Sequence, residues 1–429
     1  MTEQMNVPKL RFSEFDSMLG LSYFGELVND ITYGPRFSAE DYCSDGNVRT
    51  IRGTDMGANG EIKYHQVPTA QLDGKTVNRH ELKDGDLVMI TTADCGITSV
   101  YREQPIKHIC SAYAVKINLN ENADSTYFKY FYQTSKAQYE VSRFIRKATV
   151  SNLPGSDINR IRHYPPSLQE QQKIASFLSK VDEKITLLSE KKDKLTEYKK
   201  GVMQQLFNGK WEEQDGQLNF IPPTLRFKAD DGSDFPDWRE VTLDGLAEVR
   251  GRVGWKNLKQ SEYTSEGPYL IAGKHINEGV INWCRCDHLS EERYVESIEI
   301  ALQDGDVIFS KDGSLGNPAL IENLQNKATI NGTMMLVRVN QLEIVPSYFF
   351  QVLRSSFFDR LIALAKSGSS IPHIFQRDMK NFEFPLPSLE EQTKIASFLS
   401  AIDQKVDLAN SELEKAKEWK KGLLQQMFV

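Results

Sequence analysis

Arginine, lysine, asparagine and hydroxyl side chains gather with glycine in stretches that the sequence predicts to be loops. Arginine and lysine can bind phosphates or the edge of guanine, asparagine suits adenine, and serine or threonine suits either base. In the first half of the chain the residues that could do this chemistry are Arg36, Arg49, Arg52, Thr54, Thr91, Thr92, Arg146, Lys147, Ser151 and Asn152. In the second half they are Arg250, Arg252, Lys256, Lys274, His275, Lys311, Ser314, Ser369, Ser370 and His373.

Each of these residues, taken alone, is more simply a polar side chain of a solvated loop. A binding function is favoured because corresponding loops of the two halves are basic or polar in both cases yet carry different side chains. We therefore expect one scaffold to be used twice, with a different set of contacts in each copy.

Residue patterns that would support catalysis or metal binding are incomplete. Cys284, Cys286 and His288 offer three zinc ligands at close spacing but lack a clear fourth, so reduced structural thiols are the favoured interpretation. The stretch Gly267–Lys274 fails as a phosphate-binding loop because His275 stands where Ser or Thr would hold magnesium. The seven histidines form no Ser-His-Asp or paired-His arrangement. We therefore expect no catalytic residues, no metal and no cofactor in this chain.

The charge balance limits how the chain could bind nucleic acid. Its 429 residues include 52 basic and 59 acidic ones, a formal net charge of −7. A protein that binds nucleic acid without regard to sequence is normally basic, because neutralising phosphates supplies its affinity. A nucleic-acid role here would depend on local basic patches or on partner subunits that supply phosphate contacts.

Cysteine usage and hydropathy predict the compartment. Five cysteines at scattered positions argue against a disulfide framework and for a reducing environment. No stretch approaches the roughly 20 consecutive apolar residues of a membrane span, and the first residues show no apolar signal core. We expect a soluble, unsecreted, cytoplasmic protein with no membrane partner.

An internal repeat organises the chain. Pro166–Ile185 recurs as Pro387–Val406 with fourteen of twenty positions identical, and the register continues without a gap to tails that end at Phe207 and Phe428. More divergent segments precede each copy, and their landmarks still align. The aligned landmarks are Leu82-Lys-Asp-Gly-Asp86 with Leu302-Gln-Asp-Gly-Asp306, Gly96 with Gly316, Ser125-Thr-Tyr-Phe128 with Pro346-Ser-Tyr-Phe349, and Pro8-Lys-Leu-Arg-Phe12 with Pro223-Thr-Leu-Arg-Phe227. The sequence therefore indicates a duplication.

The two conserved segments have the pattern of long helices. Each opens with Pro-Ser-Leu-x-Glu, in which Ser167 or Ser388 is a candidate N-cap. Glu170 or Glu391, three residues later, would complete a capping box that satisfies free amides of the first turn.

Apolar residues of these helices recur at alternating steps of four and three, which indicates a coiled-coil seam. Lys192, Lys199 and Lys420 interrupt the seam and would tune its register or mark where it opens. The main seam residues are Ile174, Leu178, Val181, Ile185 and Leu188 in the first copy and Ile395, Leu399, Ile402, Val406 and Leu413 in the second.

Two matched seams in one sequence favour pairing of the two helices with each other; pairing of each helix with another chain is the alternative. The predicted fold class is α+β, with two globular α+β domains separated by two long antiparallel coiled-coil helices of about 60 Å and related by a pseudo-two-fold axis. The predicted segments are a lead-in (1–20), a first variable domain (21–165), a first helix (166–209), a linker (210–236), a second variable domain (237–386) and a second helix (387–429).

The doubled Leu-x-Glu-Gln-x-Lys-Ile-Ala-x-Phe-Leu-Ser motif and the Lys-Lys-Gly-x-x-Gln-Gln-x-Phe tails resemble the conserved regions of type I restriction-modification specificity subunits. The Leu-x-Asp-Gly-Asp runs and the sequence ending at His373 resemble landmarks of their target-recognition domains. The resemblance covers essentially the whole chain. It implies a non-catalytic subunit in which each variable domain is a target-recognition domain that reads one half of a bipartite, asymmetric site on double-stranded DNA.

The same resemblance implies partners. Two methylation subunits, which bring S-adenosylmethionine and methylate adenine, would dock around the helices that carry the seam, and restriction subunits would join through them. ATP and magnesium are likewise expected on partner subunits. The helices would set the length of the spacer between the half-sites.

Two departures separate the copies. Met18 stands where the second copy has Trp238, and the first domain has Ala148-Thr-Val-Ser-Asn152 where the second has Ser369-Ser-Ile-Pro-His373. These differences leave the recognition loop of the first domain open. The alternative function is a coiled-coil scaffold or adaptor that binds proteins and not DNA.

Overall fold

The computed structural model describes residues 7–147, 149–207, 209–214, 217–221, 223, 225–251, 258–367 and 372–429. The chain forms two compact units: unit 1 comprises Met1–Glu190 with Asn410–Val429, and unit 2 comprises Lys191–Ala409. Each unit therefore contains one globular domain and a stretch of both long helices. Among the described residues, no helix has the length and apolar content needed to cross a bilayer.

Unit 1 is built from short strands and helices that precede the first long helix. The strands are β1 (Ser22–Tyr23), β2 (Val28–Tyr33), β3 (Val48–Ile51), β4 (Thr69–Ala70), β5 (Leu87–Ile90), β6 (Thr98–Val100), β7 (His108–Cys110), β8 (Ala114–Leu119) and β9 (Arg162–His163). The helices are α1 (Gly74–His80), α2 (Ser125–Phe131), α3 (Ser135–Ser142), α4 (Gly155–Ile158) and α5 (Leu168–Phe207), of which the last continues into unit 2.

Unit 2 repeats this plan. Its strands are β10 (Lys210–Gln214), β11 (Gln217–Ile221), β12 (Arg239–Thr242), β13 (Ala247–Gly251), β14 (Thr264–Ile271), β15 (Ile276–Asn277), β16 (Val280–Ile281), β17 (Asp287–His288), β18 (Val307–Ser310), β19 (Gly316–Leu320), β20 (Ala328–Ile330), β21 (Met334–Val339) and β22 (Glu383–Leu386). Its helices are α6 (Glu291–Val295), α7 (Pro346–Val352), α8 (Ser356–Ser367), α9 (Gln376–Lys380) and α10 (Leu389–Met427), which ends in unit 1.

The main sheets of the two units have matching topology. Unit 1 has an antiparallel sheet in the order β2-β8-β5-β6, and unit 2 has one in the order β13-β21-β18-β19. A second, three-stranded sheet in each unit contains one parallel pair, β3 with β7 and β14 with β20. The prediction of α+β domains is confirmed.

The repeated Leu-x-Asp-Gly-Asp run forms the turn that leads into β5 and β18. Gly85 and Gly305 have φ of 87° and 92°, a region that side chains with a Cβ rarely adopt. The following aspartates, Asp86 and Asp306, are buried and accept the backbone N–H three residues upstream at 2.8 and 2.7 Å. Asp306 also accepts two hydrogen bonds from Arg338, at 2.7 Å each. The motif thus closes a turn and fixes a buried carboxylate on the central sheet.

The two long helices begin close to where the sequence predicts. The Glu170 amide donates to Ser167 Oγ and the Glu391 amide to Ser388 Oγ, each at 3.4 Å, so the serine caps are present. The other half of the predicted capping box is wrong, because the two glutamate side chains are buried and bind elsewhere. Glu170 accepts two hydrogen bonds of 2.7 Å from Arg11.

The equivalent carboxylate in unit 2 makes one contact more. Glu391 accepts from Arg226 at 2.7 and 3.1 Å and from Trp238 Nε1 at 2.8 Å. Trp238 is 6% exposed, whereas Met18 of the first copy is 76% exposed. A charged arginine beside the start of the helix forms a stronger hydrogen bond with the glutamate carboxylate than the uncharged backbone amide of the N-cap serine would. The lead-in segments are therefore tied to the helices by buried ion pairs.

The glutamine that follows each of these glutamates ties the helix to its own globular domain. Gln171 Oε1 accepts the Asp124 amide at 2.9 Å, and Gln392 Oε1 accepts the Val345 amide at 2.8 Å. Both glutamines are buried. The repeated Glu-Gln pair is thus an anchor that joins the helix, the lead-in and the segment before α2 or α7.

The tail of each long helix packs on the globular domain of the other repeat. In unit 1 the ring of Phe428 lies 5.1 Å from that of Tyr127. In unit 2 the ring of Phe207 lies 6.0 Å from that of Tyr348. Within each unit the start of one helix therefore lies beside the end of the other, which is the antiparallel arrangement that the repeat predicts.

Most seam residues are buried within the two units. Ile174, Leu178 and Val181 are buried in one core with Leu423 of the other helix and with the globular domain of unit 1, and Leu413 is buried as well. Ile395, Leu399, Ile402 and Val406 are buried in the core of unit 2, and Ile185 and Leu188 are half-buried. The stripe therefore contributes to the core of each unit, and its role in subunit docking stays a prediction.

The segment predicted to be a linker contains regular structure. Strands β10 and β11 pair antiparallel, with Lys210 opposite Ile221 and Glu212 opposite Asn219. This hairpin follows directly on the end of α5. Leu218 and Phe220 alternate with Gln217 and Asn219, but each run is only five residues long and the first, Lys210–Gln214, is mostly polar.

Candidate nucleic-acid interface

A groove of about 1280 Å³ in unit 1 brings together most of the candidate residues of the first domain. It lies where β2 and β5 end and β8 begins, so three adjacent strands of one sheet deliver side chains to the same edge. The candidates that line it are Arg36, Arg52, Thr54, Thr91, Thr92 and Asn152. These residues are up to 116 positions apart in sequence, from Arg36 to Asn152.

Two strand ends and a closed loop position the hydroxyl and amide groups. Thr91 donates from Oγ1 to the Tyr113 carbonyl at 3.0 Å, and its own carbonyl accepts the Leu153 amide at 2.8 Å. Arg146 and Asn152 exchange two backbone hydrogen bonds, of 2.8 and 3.1 Å, which close the loop between them. Asn152 consequently lies next to Thr92, with Thr92 Oγ1 3.5 Å from Asn152 Oδ1.

Arg52 is held in place before any ligand binds. Its Nε and one terminal nitrogen donate to the buried carboxylate of Asp55 at 3.1 and 2.9 Å. This hydrogen bond to Asp55 raises the pKa of the Arg52 guanidinium. Because Asp55 is buried and Arg52 is half-buried, the guanidinium presents its remaining donors to the groove with little freedom to move.

Aromatic residues of the groove were missed by the sequence analysis. Tyr113 is 65% exposed, and Tyr33 and Tyr42 are also exposed. Tyr33 is fixed by its hydroxyl, which accepts the Gly155 amide at 2.5 Å. The signal for Tyr113 in the sequence is a large aromatic residue placed directly before a strand. Tyrosine offers a face for sugar or base packing and a hydroxyl for hydrogen bonding.

Four candidates of the first domain do not line this groove. Arg49 donates to the Tyr64 carbonyl at 3.1 Å and is half-buried within the three-stranded sheet. Arg146 is exposed and lies 3.6 Å from Asp157, while Lys147 and Ser151 belong to the loop that Arg146 and Asn152 close. Lys147 is exposed and Ser151 half-buried, beside the groove.

Unit 2 has the same backbone hydrogen bonds at this end of its main sheet, with different side chains. Asp312 and His373 form the backbone bridge that Thr92 and Asn152 form in unit 1. The Lys311 carbonyl accepts the Ile374 amide at 3.0 Å, as the Thr91 carbonyl accepts the Leu153 amide. His373 Nδ1 is in hydrogen-bond contact with the Asp312 carboxylate. The aligned landmarks of the sequence thus occupy equivalent positions.

The edge of the sheet in unit 2 borders a cavity of about 330 Å³. Lys311 and His373, two of the candidates, line it, together with Gly251 and Met335. Three further lining residues, Phe375, Gln376 and Arg377, were missed by the sequence analysis. No periodic pattern along the chain marks these three residues.

The remaining candidates of the second domain that the structure describes do not line this cavity. Arg250 donates to the Glu299 carbonyl at 2.6 Å, and Lys274 lies 2.9 Å from Asp287. His275 is buried, and this burial lowers its pKa. Ser314 is exposed on the turn before β19. Arg252, Lys256, Ser369 and Ser370 lie outside the described residues.

Cys284, Cys286 and His288, the three candidate zinc ligands, do not share a common partner in the structure. Cys286 Sγ contacts the Asn282 carbonyl at 3.5 Å, and burial raises the pKa of this thiol to about 11. His288 Nδ1 lies 2.9 Å from the Gly267 carbonyl, and Cys284 is exposed. Within the part of the chain that the structure describes, no group of three or more His, Cys, Asp or Glu is arranged to hold a metal ion.

Aromatic residues flank the seam at equivalent positions of the two repeats. In unit 1, Phe177 lies between Phe12 and Trp419, with ring centroids 5.8 and 6.1 Å apart, and Trp419 is 48% exposed. In unit 2, Phe398 lies 5.5 Å from Phe227. We call these sets helix patch 1 (Phe12, Phe177 and Trp419) and helix patch 2 (Phe227, Phe398 and Tyr198).

Both patches are accessible. Tyr198 occupies in the first repeat the position of Trp419 in the second, and it is 55% exposed. Exposed aromatic clusters with neighbouring polar residues are typical of protein interfaces. The repeat therefore presents one kind of apolar surface twice.

A comparison with known protein families identifies the family of this chain. A family model described as the type I restriction modification DNA specificity domain matches residues 25–197 and again residues 236–418. Each match contains one of the globular domains and most of the long helix that follows it.

Curated relatives carry related names. The chain is 24% identical over 265 residues to the type I restriction enzyme MjaVIII specificity subunit of Methanocaldococcus jannaschii, an alignment that covers 60% of this chain and 59% of that protein. It therefore spans about three fifths of the length of this relative. It is 21% identical over 413 residues to the type I restriction enzyme EcoBI specificity subunit of Escherichia coli, covering 94% of this chain and 82% of that one.

Solved structures share the fold. The S subunit of a type I restriction-modification system from M. genitalium matches with a TM-score of 0.60 and 17% identity, covering 99% of both chains. A chain from a study of complex assembly and conformational transition of the type I R-M system matches with a TM-score of 0.54 and 16% identity, covering 96% of this chain and 99% of that one. Because the family model accounts for most of the sequence in two copies, the chain belongs to the type I restriction modification DNA specificity family.

Proposed function

We propose that the chain is the DNA-recognition subunit of a type I restriction-modification complex and that each globular domain reads one half of a bipartite, asymmetric site. The observation that carries this proposal is that the two units share the backbone hydrogen bonds around the site but place different side chains there. Thr91, Thr92 and Asn152 occupy in unit 1 the positions of Lys311, Asp312 and His373 in unit 2. One scaffold with two sets of base-reading groups suits two different half-sites.

The groove of unit 1 has the chemistry that base reading needs. Asn152 can pair with the N6 and N7 edge of adenine, and the fixed guanidinium of Arg52 can bind guanine or a phosphate. Thr92 and Thr54 add hydroxyls that serve as donors or acceptors, and Tyr113 adds an exposed ring. These groups sit at the open edge of a sheet, where a duplex has access.

The chain itself contributes recognition rather than catalysis. Adenine methylation belongs to two methylation subunits with S-adenosylmethionine, and ATP- and magnesium-dependent restriction belongs to restriction subunits that join through them. The net charge of −7 fits this division, because partner subunits would supply much of the phosphate neutralisation that tight DNA binding requires.

Helix patches 1 and 2 are the surfaces that we assign to the methylation subunits. A partner present in two copies needs two equivalent surfaces, and the repeat supplies an exposed aromatic at equivalent positions, Trp419 and Tyr198. The seam itself is buried, so docking uses the flanks of the helices. The helices also set the spacer between the half-sites, since half-site separation follows from the geometry of the protein.

Sequencing of modified bases in the source genome, with the gene intact and deleted, tests the proposal. We expect adenine methylation at one bipartite motif to disappear in the deletion strain and to return when the gene is supplied from a plasmid. Unchanged methylation, together with no salt-sensitive, sequence-specific duplex binding by the complex that copurifies with the tagged chain, would contradict the proposal. That outcome would favour a protein-binding scaffold.

A further inference from the structure

Three side chains of unit 2, His373, Phe375 and Arg377, line the cavity and contact one another in sequence. The guanidinium carbon of Arg377 lies 5.1 Å from the centroid of the Phe375 ring. The Phe375 ring also lies 4.3 Å from the ring of His373, at an interplanar angle of 52°. Asp312 anchors this cluster, because it is hydrogen-bonded to His373 Nδ1.

Arg377 and Phe375 are exposed although each contacts a neighbouring side chain of this cluster. Arg377 is 80% exposed at its side chain, and Phe375 is 49% exposed. The acidic contact that the structure gives to Arg377 is Asp378, at 3.6 Å and beyond hydrogen-bond distance. A phenylalanine and an arginine held together in water contribute little to stability, since exposed cation–π pairs are worth about 0.5–1 kcal/mol. Packing of the domain therefore does not account for the arrangement.

Donors dominate the polar side chains of the described residues that line the cavity. Lys311 and Arg377 carry only donors, and Gln376 carries an acceptor oxygen as well as an amide nitrogen that donates to the Gly251 carbonyl at 3.3 Å. The Asp312 carboxylate is already engaged by His373 and lies 3.4 Å from Lys311 Nζ. An acceptor-rich ligand edge matches this surface. In the major groove the base with two acceptors and no donor is guanine, through O6 and N7.

We propose that Arg377, which packs against Phe375, reads a guanine in the half-site of the second domain through two hydrogen bonds to O6 and N7. This inference rests on the proposed function and assigns one base of one half-site to one side chain. The contact with Phe375 restricts the guanidinium, so less side-chain freedom is lost when the two bonds form. Unit 1 has Asn152, Thr92 and Arg52 at its groove, so the two half-sites are read by different chemistry.

The test is the methylated motif of cells that express the full complex with wild-type chain, Arg377→Ala, Arg377→Lys or Phe375→Leu. Lysine keeps the charge but loses the planar fork. The matched control is Arg360→Ala, since Arg360 lies 4.7 Å from the Phe357 ring on α8 and does not line the cavity. Mapping modified bases across a genome gives the motif and the methylated fraction at every variant site.

We expect Arg377→Ala and Arg377→Lys to relax one guanine position of the second half-site, with methylation of sites that carry another base there rising on the order of tenfold or more. Phe375→Leu should relax the same position more weakly, and the control should keep the wild-type motif. An unchanged motif in both Arg377 variants would overturn the inference. The inference would also be overturned if Arg377→Lys kept the wild-type motif while Arg377→Ala lost methylation uniformly at all sites, because that pattern marks a phosphate contact. Failure of the proposed function would show differently, as the absence of any bipartite motif with the wild-type chain.

Discussion

Lys420 and Asp182 form an ion pair between the two long helices within unit 1, with Nζ 2.6 Å from Oδ1. Lys199 and Asp403 are the residues at equivalent positions of the repeat, and they form the corresponding pair within unit 2. In each pair one repeat supplies the lysine and the other supplies the aspartate. Lysines that interrupt the apolar seam therefore have partners that only the antiparallel register provides, which fits the use of buried polar pairs to specify register.

The two lysines differ in what their removal leaves behind. Asp403 also accepts from Arg354 at 2.8 Å and from Gln351 at 3.2 Å, whereas Asp182 accepts from the uncharged Tyr130 hydroxyl at 2.8 Å. We expect Lys420→Met to lower the free energy of unfolding by about 1–3 kcal/mol, because it strips a carboxylate of its cation. Lys199→Met should be neutral or stabilising. Urea denaturation of both variants measures this, and equal losses would contradict it.

Stability should depend on pH through Lys199. Burial, followed by the nearby charge of Arg354, lowers the pKa of its ammonium to about 8, against a partial offset from Asp403 and Asp407. Between pH 8 and about 10.5 the unfolded chain therefore binds more protons at this group than the folded chain, so its contribution to stability rises with pH. The unfolding free energy of wild type should therefore rise relative to that of Lys199→Met as pH increases through this window. A difference that is constant from pH 7 to 10 would refute the prediction.

The buried carboxylates at the helix starts should be among the costliest to remove. Glu391→Ala leaves Arg226 and Trp238 without their shared acceptor, and we expect a loss of about 2–4 kcal/mol. Both arginines keep backbone acceptors, Ser17 for Arg11 and Pro236 for Arg226, but Glu170→Ala should cost less because no tryptophan that the structure describes donates to Glu170. Glu391→Gln, which retains an acceptor for Trp238, should fall between wild type and Glu391→Ala in thermal denaturation. The ranking would be wrong if Glu170→Ala were the more damaging change.

Asn152 should specify a base in the half-site of the first domain only. Replacing it by alanine removes both a donor and an acceptor from the groove, so we expect an adenine position of that half-site to become degenerate while the other half-site and the spacer stay unchanged. Arg160→Ala is a suitable control, because Arg160 is exposed, contacts Asp157 at 3.3 Å and does not line the groove. Mapping of modified bases reads out both variants, and a change in both half-sites would disprove independent reading.

Docking of methylation subunits should depend on the helix patches one at a time. Trp419→Ala alters patch 1 alone, so the purified complex should lose one methylation subunit and keep the other. Tyr198→Ala should do the same through patch 2, and the double variant should copurify with neither. Native mass spectrometry gives the stoichiometry. Tyr139→Ala, which removes a 66% exposed aromatic from α3, is the control, and two subunits retained by the double variant would rule out the patches.

Some contacts could be anticipated from the repeat, whereas others required the folded chain. The alignment of Asn152 with His373 predicted equivalent positions, and the backbone bridges of unit 1 and unit 2 confirm it. Phe375 and Arg377 were not predicted, because a single exposed aromatic in a loop carries no periodic signal. Glu170 and Glu391 followed the spacing of a capping box, yet Arg11 and Arg226 lie 159 and 165 positions away and no local pattern points to them.

The sequence by itself determined the duplication, the two long helices, the α+β class and the family, because each of these depends on local periodicity or on a motif read along the chain. Tertiary structure decided which candidates share a site. Arg52, Thr91 and Asn152 meet because the end of β3, the end of β5 and the loop closed by Arg146 and Asn152 come together at one groove. Arg49, with the same side chain as Arg52, lies within β3 and donates to the Tyr64 carbonyl instead. It also decided that most of the apolar seam is core within each unit, since burial depends on what packs against a helix and not on the spacing of its leucines.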